Sequence, residues 1–430
     1  MTLPDIVEIV PPQKVAPVLI TVPGSKSLTN RALVLGALAA GTTTLRGALW
    51  SEDTEIMVEA LGTLGFRVSL EADEAEAGNR TITVEGLGGR IPNAGTQGAP
   101  LEIEAGNAGT VARFLMPMLC LSGGVYRLSG APRMHERPQG ALFDALRQLG
   151  YRVEARDGRL PAVISGESGP QARACRVSID ESSQFASALL LSARVGGWEV
   201  EVVGEDAEEA AYVAMTSKFI EMFPQRGGEV VVEPDCSSAS YFLAAGALLP
   251  EARLQVTAWP ESDWQIDARF GDFLRRFRDA PPPYPALSRM SDLGDSIMTA
   301  IVMAPLLPQP SRFVDLGRLR VQESERVQAL RTELTKCGGR VVEAGDTLEV
   351  CPSELHGAEI ETYDDHRIAL CFATLGLKLP GMRIRHPNCA CKTFPNFFAK
   401  LAAAAPEGIG ATVLDGRTGR ALDGDGLYAD

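Results

Sequence analysis

PGSKSLTNRALVLGALAAG, from Pro23 to Gly41, runs a turn of small polar residues straight into an almost wholly apolar segment of helix length. The same junction recurs five times. It reads AGNAGTVARFLMPMLCLSG from Ala105, DESSQFASALLLSARVGG from Asp180, DCSSASYFLAAGALL from Asp235, SDLGDSIMTAIVMAPLL from Ser291 and YDDHRIALCFATLGLKLPG from Tyr363. Small oxygen-bearing side chains in each turn predict a helix start, because they can accept from the first free backbone N–H groups. Such an end also attracts anions through its exposed donors and partial positive charge. Six of them could converge on one anion.

The segments after the turns, such as Ala32 to Ala40 and Ala186 to Ala193, have almost no polar face, so these helices are expected inside a domain. With Ser25, Asn107, Ser183, Ser238, Asp295 and Asp365 as markers, the separations are 82, 76, 55, 57 and 70 residues. A unit of that size is a small α/β module. A second recurrence supports duplication: Ala60 to Val68 (ALGTLGFRV) resembles Ala145 to Val153 (ALRQLGYRV), and Ala329 to Val341 follows the same order of helix, Gly and strand. The two shorter repeats, which end at Gly227-Gly228 and Pro281-Pro282-Pro283, read as trimmed by a strand pair.

A chain of 430 residues with 45% hydrophobic and 22% charged residues is ordinary globular composition and long enough for two domains. The opening MTLPDIVEIVPPQ lacks a basic region followed by an apolar core, and no stretch reaches the length of a spanning helix, so a cytoplasmic protein without a membrane partner is expected. Eight cysteines without framework spacing favour reduced thiols. The net charge of −14 argues against a nucleic-acid partner. Basic residues cluster instead beside turns: Lys26 and Arg31, Arg133 and Arg137, Arg320 and Arg326, Arg367 and Lys392. A local cationic cleft in an acidic protein can focus a small polyanion.

Two tempting motifs fail. Gly24-Ser25-Lys26-Ser27 lacks the Gly directly before Lys that a nucleotide P-loop requires. Cys389-Ala390-Cys391 with His386 lacks a second ligand pair, so no metal is expected.

Read together, the motifs become specific. PGSKSLTNRAL, LWSEDT from Leu49, GNAGTVARFL, RMHERP from Arg133, SSQF from Ser182, SSASYFLAAGAL from Ser237, RVQESER from Arg320, YDDHR and KTFPNF from Lys392 occur in the order of the 5-enolpyruvylshikimate 3-phosphate synthase family, which the chain resembles from about Ile20 to Leu401. The resemblance implies an α/β fold of two domains, each an inside-out α/β barrel of three repeated units, six in all. The first domain would hold residues 1–22 and 237–430, the second 23–236, with the active site in the cleft between them.

It also implies transfer of the enolpyruvyl group from phosphoenolpyruvate to the 5-hydroxyl of shikimate 3-phosphate, with no cofactor and as a monomer. Addition and elimination need an acid for the methylene carbon, a base for the hydroxyl, and cations for a carboxylate and a phosphate. By resemblance Glu323 is the acid, Asp295 the base, and Lys26, Asp53 and Asn107 stand at the reacting centre. Phosphoenolpyruvate would meet Lys26, Gly109, Arg137, Gln184, Arg326, Arg367 and Lys392. Shikimate 3-phosphate would meet Lys26, Ser27, Arg31, Ser182, Ser183, Gln184, Tyr212, Asp295 and Gln322. The analogue glyphosate is expected to compete with phosphoenolpyruvate.

Some positions depart from the family pattern. Gln322 stands where Lys is common, Arg318 where Asn is, Glu209 where a Ser touches the phosphate, and Phe114 where Pro follows GNAGTxxR. An enolpyruvyl transferase acting on another hydroxyl, and a non-catalytic anion-binding paralogue, therefore stand as alternatives.

Overall fold

The computed structural model describes residues 3–166, 173–204, 207–260, 262–279 and 283–429. The Glu209 side chain, Pro281 and Pro282, all singled out above, lie outside what is described. The chain divides into two compact units, Gly24–Glu233 and the pair Met1–Pro23 with Pro234–Asp430.

Each of the six junctions begins a helix, yet by different means. Ser25 accepts from the Leu28 N–H ahead of the helix Lys26–Leu38, and Ser182 accepts from Gln184 N–H ahead of Ser183–Gly196. Asp235 caps Cys236–Leu248 and Asp365 caps His366–Gly376. At the other two junctions the expected side-chain cap is missing. The helix Gly109–Cys120 follows Ala108 rather than Asn107 as its cap residue. The turn Gly294–Ser296 that leads into Ile297–Met303 takes its acceptor from far along the chain, the Asp267 carboxylate, 2.6 Å from Ser296 N–H.

These helices are buried on nearly every side, as their apolar sequences predict: Leu28 through Ala39 are buried without a break, as is the whole of Gly109–Cys120. Within the Gly24–Glu233 unit the helices beginning at Lys26, Gly109 and Ser183 pack on one another. Within the other unit those beginning at Cys236, Ile297 and His366 do the same.

Among the described residues each unit carries two four-stranded sheets and one two-stranded sheet. The four-stranded sheets share one pattern, a parallel pair followed by two antiparallel pairings. In the Gly24–Glu233 unit Leu101–Glu104 lies parallel to Val125–Ser129, which pairs with Ala162–Ser165 and that with Arg152–Ala155. In the other unit Leu287–Ser288 lies parallel to Ser311–Val314, followed by Thr347–Cys351 and Arg340–Ala344. The two-stranded sheets are the parallel pairs Ala174–Ser178 with Glu199–Val203 and Leu19–Ile20 with Gln255–Val256. One strand of each, Glu199–Val203 and Gln255–Val256, lies in a short repeat, and among the described residues neither pair carries the two antiparallel strands seen in the four-stranded sheets.

Three helices close into strands through the same turn. Gly65, Gly150 and Gly338 follow the helices Glu52–Thr63, Gly140–Gln148 and Arg326–Lys336, with φ of 90°, 93° and 89°. A side chain would be strained at that φ, which is why Gly recurs there. The segment after Leu401 is docked and turns back on itself in a short hairpin, with Leu414 bridging Ala421. Thr412–Asp415 adds antiparallel to Ile6–Val10, and Arg417 pairs with Asp5 at 2.8 Å. None of the described helices is long and apolar enough to cross a membrane.

Candidate active site

Helix starts carry partial positive charge, so a cation placed there is normally unfavourable. Three of the candidate cations sit at such places. Lys26 is the first residue of its helix, Arg326 the first of Arg326–Lys336, and Arg367 the second of His366–Gly376. Each meets a carboxylate in its own unit. Lys26 Nζ lies 2.9 Å from Asp53, itself in the first turn of Glu52–Thr63 where a negative charge is favoured. Arg326 donates to both oxygens of Asp365, at 2.7 and 3.1 Å, and pairs with Glu323 at 2.9 Å. Arg367 pairs with Asp295 at 3.0 Å and donates to Ser237 Oγ.

In the Gly24–Glu233 unit the second group forms around Gly109, Arg137 and Gln184. A Cβ added at Gly109 would come within 2.9 Å of Arg137 Nη2 and 3.2 Å of Gln184 Oε1, so the helix start holds bare backbone against two long polar side chains. Arg137 also donates to Asn107 O. Arg113 fixes the Gln184 amide by donating to its Oε1 at 2.8 Å, reaches Ser182 Oγ at 3.4 Å, and stacks over Phe185. Lys26 and this group leave cationic and amide donors at helix starts, the setting that binds carboxylates and phosphates.

Arg31 is 1% exposed. Its guanidinium donates to Thr216 Oγ1, Ser187 Oγ and Ser27 O, with Phe114 5.0 Å beneath it. Thr216 in turn donates to Tyr212 O, which ties Tyr212 to the same cluster through its backbone. Ser183 is the buried first residue of its helix, one place after the cap. The departure Phe114 is thus a fully buried ring against Arg31.

In the other unit Glu323 is 11% exposed and faces Arg326 and, at 3.8 Å, Lys392. Gln322 Oε1 accepts from Arg326 Nη1, which occupies the amide with a protein partner. Asp295 is held from both sides: Arg289 Nη2 lies 2.9 Å from one oxygen and Arg367 3.0 Å from the other. Burial by itself would raise the Asp295 carboxyl. The surrounding Arg367, Arg289 and Arg326 outweigh it and hold the group well below the ordinary carboxylate range. The neighbouring Asp267 goes the other way, pushed up to about 7 by burial and by the charge of Asp295.

Sequence reasoning missed Arg113, Arg289 and Asp267. Arg113 stands inside the quoted GNAGTVARFL and could have been found by asking which cation orients Gln184. Arg289 and Asp267 carry no motif signal: Arg289 acts on Asp295 across 6 residues and Asp267 on the start of its helix across 29. Among the described residues no group of three or more His, Cys, Asp or Glu is arranged to hold a metal ion.

Comparison with known proteins adds a family. The model of EPSP synthase (3-phosphoshikimate 1-carboxyvinyltransferase) matches residues 11–401. A 3-phosphoshikimate 1-carboxyvinyltransferase from Aeromonas salmonicida is 36% identical over 422 residues, covering 90% of this chain and 96% of that protein. The enzyme of the same name from Rhizobium leguminosarum is 37% identical, covering 95% and 98%. Among solved structures the EPSP synthase of Acinetobacter baumannii superposes with a TM-score of 0.69 at 22% identity, covering 95% of this chain and 99% of that one. The enolpyruvyl transferase NikO of Streptomyces tendae superposes at 0.66 and 17% identity, covering 95% and 98%. At those identities the structures speak for the fold.

Proposed function

The chain belongs to the EPSP synthase family, and from that premise we propose that it transfers the enolpyruvyl group of phosphoenolpyruvate to the 5-hydroxyl of shikimate 3-phosphate and releases inorganic phosphate. What carries the reading is the match of 36% identity along 90% of the chain to an enzyme of that name. The internal geometry supports it, since an acid and a base candidate stand in one unit among arginines.

In the addition step the 5-hydroxyl oxygen attacks C2 of phosphoenolpyruvate while a proton is delivered to C3, so the methylene becomes a methyl. Glu323 gives that proton and Asp295 takes the one from the hydroxyl. In the elimination a proton leaves the methyl, the C2 to oxygen bond of the phosphate breaks, and phosphate departs, taking up the proton that Asp295 accepted from the hydroxyl. By microscopic reversibility Glu323 takes that methyl proton back. Asn107 is a further contributor at the reacting centre, and Lys26, paired with Asp53 in the free protein, turns to the ligand.

The roles fall unit by unit. In the Gly24–Glu233 unit Lys26, Gly109, Arg137 and Gln184 bind phosphoenolpyruvate, and Lys26, Ser27, Arg31, Ser182, Ser183, Gln184 and Tyr212 bind shikimate 3-phosphate. In the other unit Arg326, Arg367 and Lys392 bind phosphoenolpyruvate, while Asp295 and Gln322 meet the acceptor. Arginine forks suit these anions because they bind carboxylate and phosphate in two-point fashion. Lys26, Arg326, Arg367 and Lys392 each face a carboxylate of the protein, so at these four an anionic ligand replaces an existing partner and need not meet bare charge. The six helix starts and the repeated sheet pattern support an inside-out barrel of three units per domain, with two units trimmed.

The test is to mix purified protein with phosphoenolpyruvate and shikimate 3-phosphate, follow phosphate release, and detect the enolpyruvyl product by mass. Release that requires both substrates is the expected result. No release with phosphoenolpyruvate still bound would instead assign a different acceptor alcohol.

A further inference from the structure

Arg289 is built into its place. The strand Leu287–Ser288 ends at Ser288, whose hydroxyl accepts from Met290 and Ser291 N–H at 2.9 and 3.2 Å. The return bond runs from Ser288 N–H to the Asp292 carboxylate at 2.8 Å. Arg269 Nη1 closes the other side of the turn by donating to Ser291 O at 2.6 Å. A tight, doubly capped turn of this kind leaves Arg289 little freedom, and its side chain is only 3% exposed. A buried guanidinium is costly without a purpose or a partner. Its ion-pair partner is Asp295, six residues on, at 2.9 Å.

We propose that Arg289 is a positioning residue of the reaction: it clamps one carboxylate oxygen of Asp295 and leaves the other, now held by Arg367, to accept the proton of the acceptor hydroxyl. This rests on the reading of Asp295 as the base. The division of labour follows from the two arginines. Arg367 sits at a helix start with Ser237 as its other partner and can transfer its fork to an incoming carboxylate or phosphate. Arg289 is fixed by its turn and stays. One oxygen is therefore released when the ligand arrives while the carboxylate keeps its orientation, and orientation of the acceptor atom decides proton-transfer rates.

The electrostatics agree. The charged and titratable groups around Asp295 are Arg289 from its own turn, Arg367 and Arg326 from the two helix starts, and Asp267 from the turn Ile266–Arg269, with Asp235 and Tyr241 of the Cys236 helix beyond them. With Arg367 committed to a ligand, Arg289 is the directly bonded cation that remains to keep Asp295 ionised beside the Asp267 carboxyl.

The experiment compares Arg289→Gln, Arg289→Lys and Asp295→Asn in the full chain, measuring kcat and KM for both substrates from pH 3 to 9 and confirming folding by circular dichroism across that range. The expected result for Arg289→Gln is a kcat lowered about ten- to a hundredfold, KM for phosphoenolpyruvate changed little, and the acid limb of the pH profile moved toward neutral by about one pH unit. Arg289→Lys, which keeps the charge, should restore the acid limb and part of kcat. If Arg289→Gln fails to fold, Arg289→Lys carries the test alone: it must keep the acid limb while lowering kcat. Wild-type kcat and an unmoved acid limb in Arg289→Gln, or in Arg289→Lys wild-type kcat or a shifted limb, would overturn the proposal while Asp295→Asn stays inactive. Activity retained in Asp295→Asn would instead overturn the base assignment, and this inference with it.

Discussion

Glu323 is the proposed acid, and its surroundings make that role separable from binding. It faces Arg326 and Lys392, so a Glu323→Gln change keeps a hydrogen-bonding group of the same shape against both cations while removing the acid. Turnover should fall by about 10²- to 10⁴-fold, with binding of both substrates retained; titration calorimetry beside a phosphate-release assay separates the two, and lost binding with retained turnover would contradict the assignment. Lys26→Met should damage binding and rate together, because it takes away a proposed ligand cation and also the ion-pair partner of the buried Asp53. Nothing in the single sequence distinguished these cations from one another beyond their motifs. The carboxylate that each one holds became visible only in the fold.

At the scale of elements, two glycines show how closely helix starts are fitted to their surroundings. Gly24 N–H donates to Asn79 Oδ1, and a Cβ at Gly24 would lie 2.0 Å from Gly47 O, a backbone atom that cannot step aside. Gly24→Ala should therefore cost about 3 kcal/mol, read as a lowered urea midpoint. Gly109→Ala meets only the ends of Arg137 and Gln184, which can give way. It should fold normally and raise KM for phosphoenolpyruvate about tenfold, and it should weaken competition by glyphosate in parallel; an unchanged KM would remove Gly109 from the binding site. The helix starts themselves were legible as turns followed by apolar runs, and so was the Gly that ends three helices. The acceptor at Ser296 was not, because Asp267 reaches it from 29 residues away and no local pattern encodes that distance.

For the whole molecule, the buried network of Asp295 and Asp267 predicts how stability varies with pH. Asp267 binds its proton more tightly folded than unfolded, where its ordinary value is near 3.8, so its contribution is fully present below that value and is lost as pH rises through about 7. Asp295 is depressed, so its contribution is present above 3.8 and is lost on acidification. Asp267→Asn, which keeps an acceptor for Ser296 N–H, should flatten the decline in urea midpoint between pH 5 and 8 and leave the acid loss intact. An unaltered slope would mean that Asp267 is ionised throughout.

The sequence by itself determined the repeating plan, the buried helices, the order of the motifs and the family, since each depends on residues close together in the chain: a turn, a cap, an apolar run, a Gly at positive φ. The tertiary structure decided what those residues hold. Only the folded units put Arg289 and Arg367 on opposite oxygens of Asp295, Arg113 on the Gln184 amide, and the last strand, Thr412–Asp415, on the first, Ile6–Val10. Except for Arg289 with Asp295, six residues apart, such pairings join groups distant in the chain, and the specificity of all of them lies in distances and angles that composition and spacing do not carry.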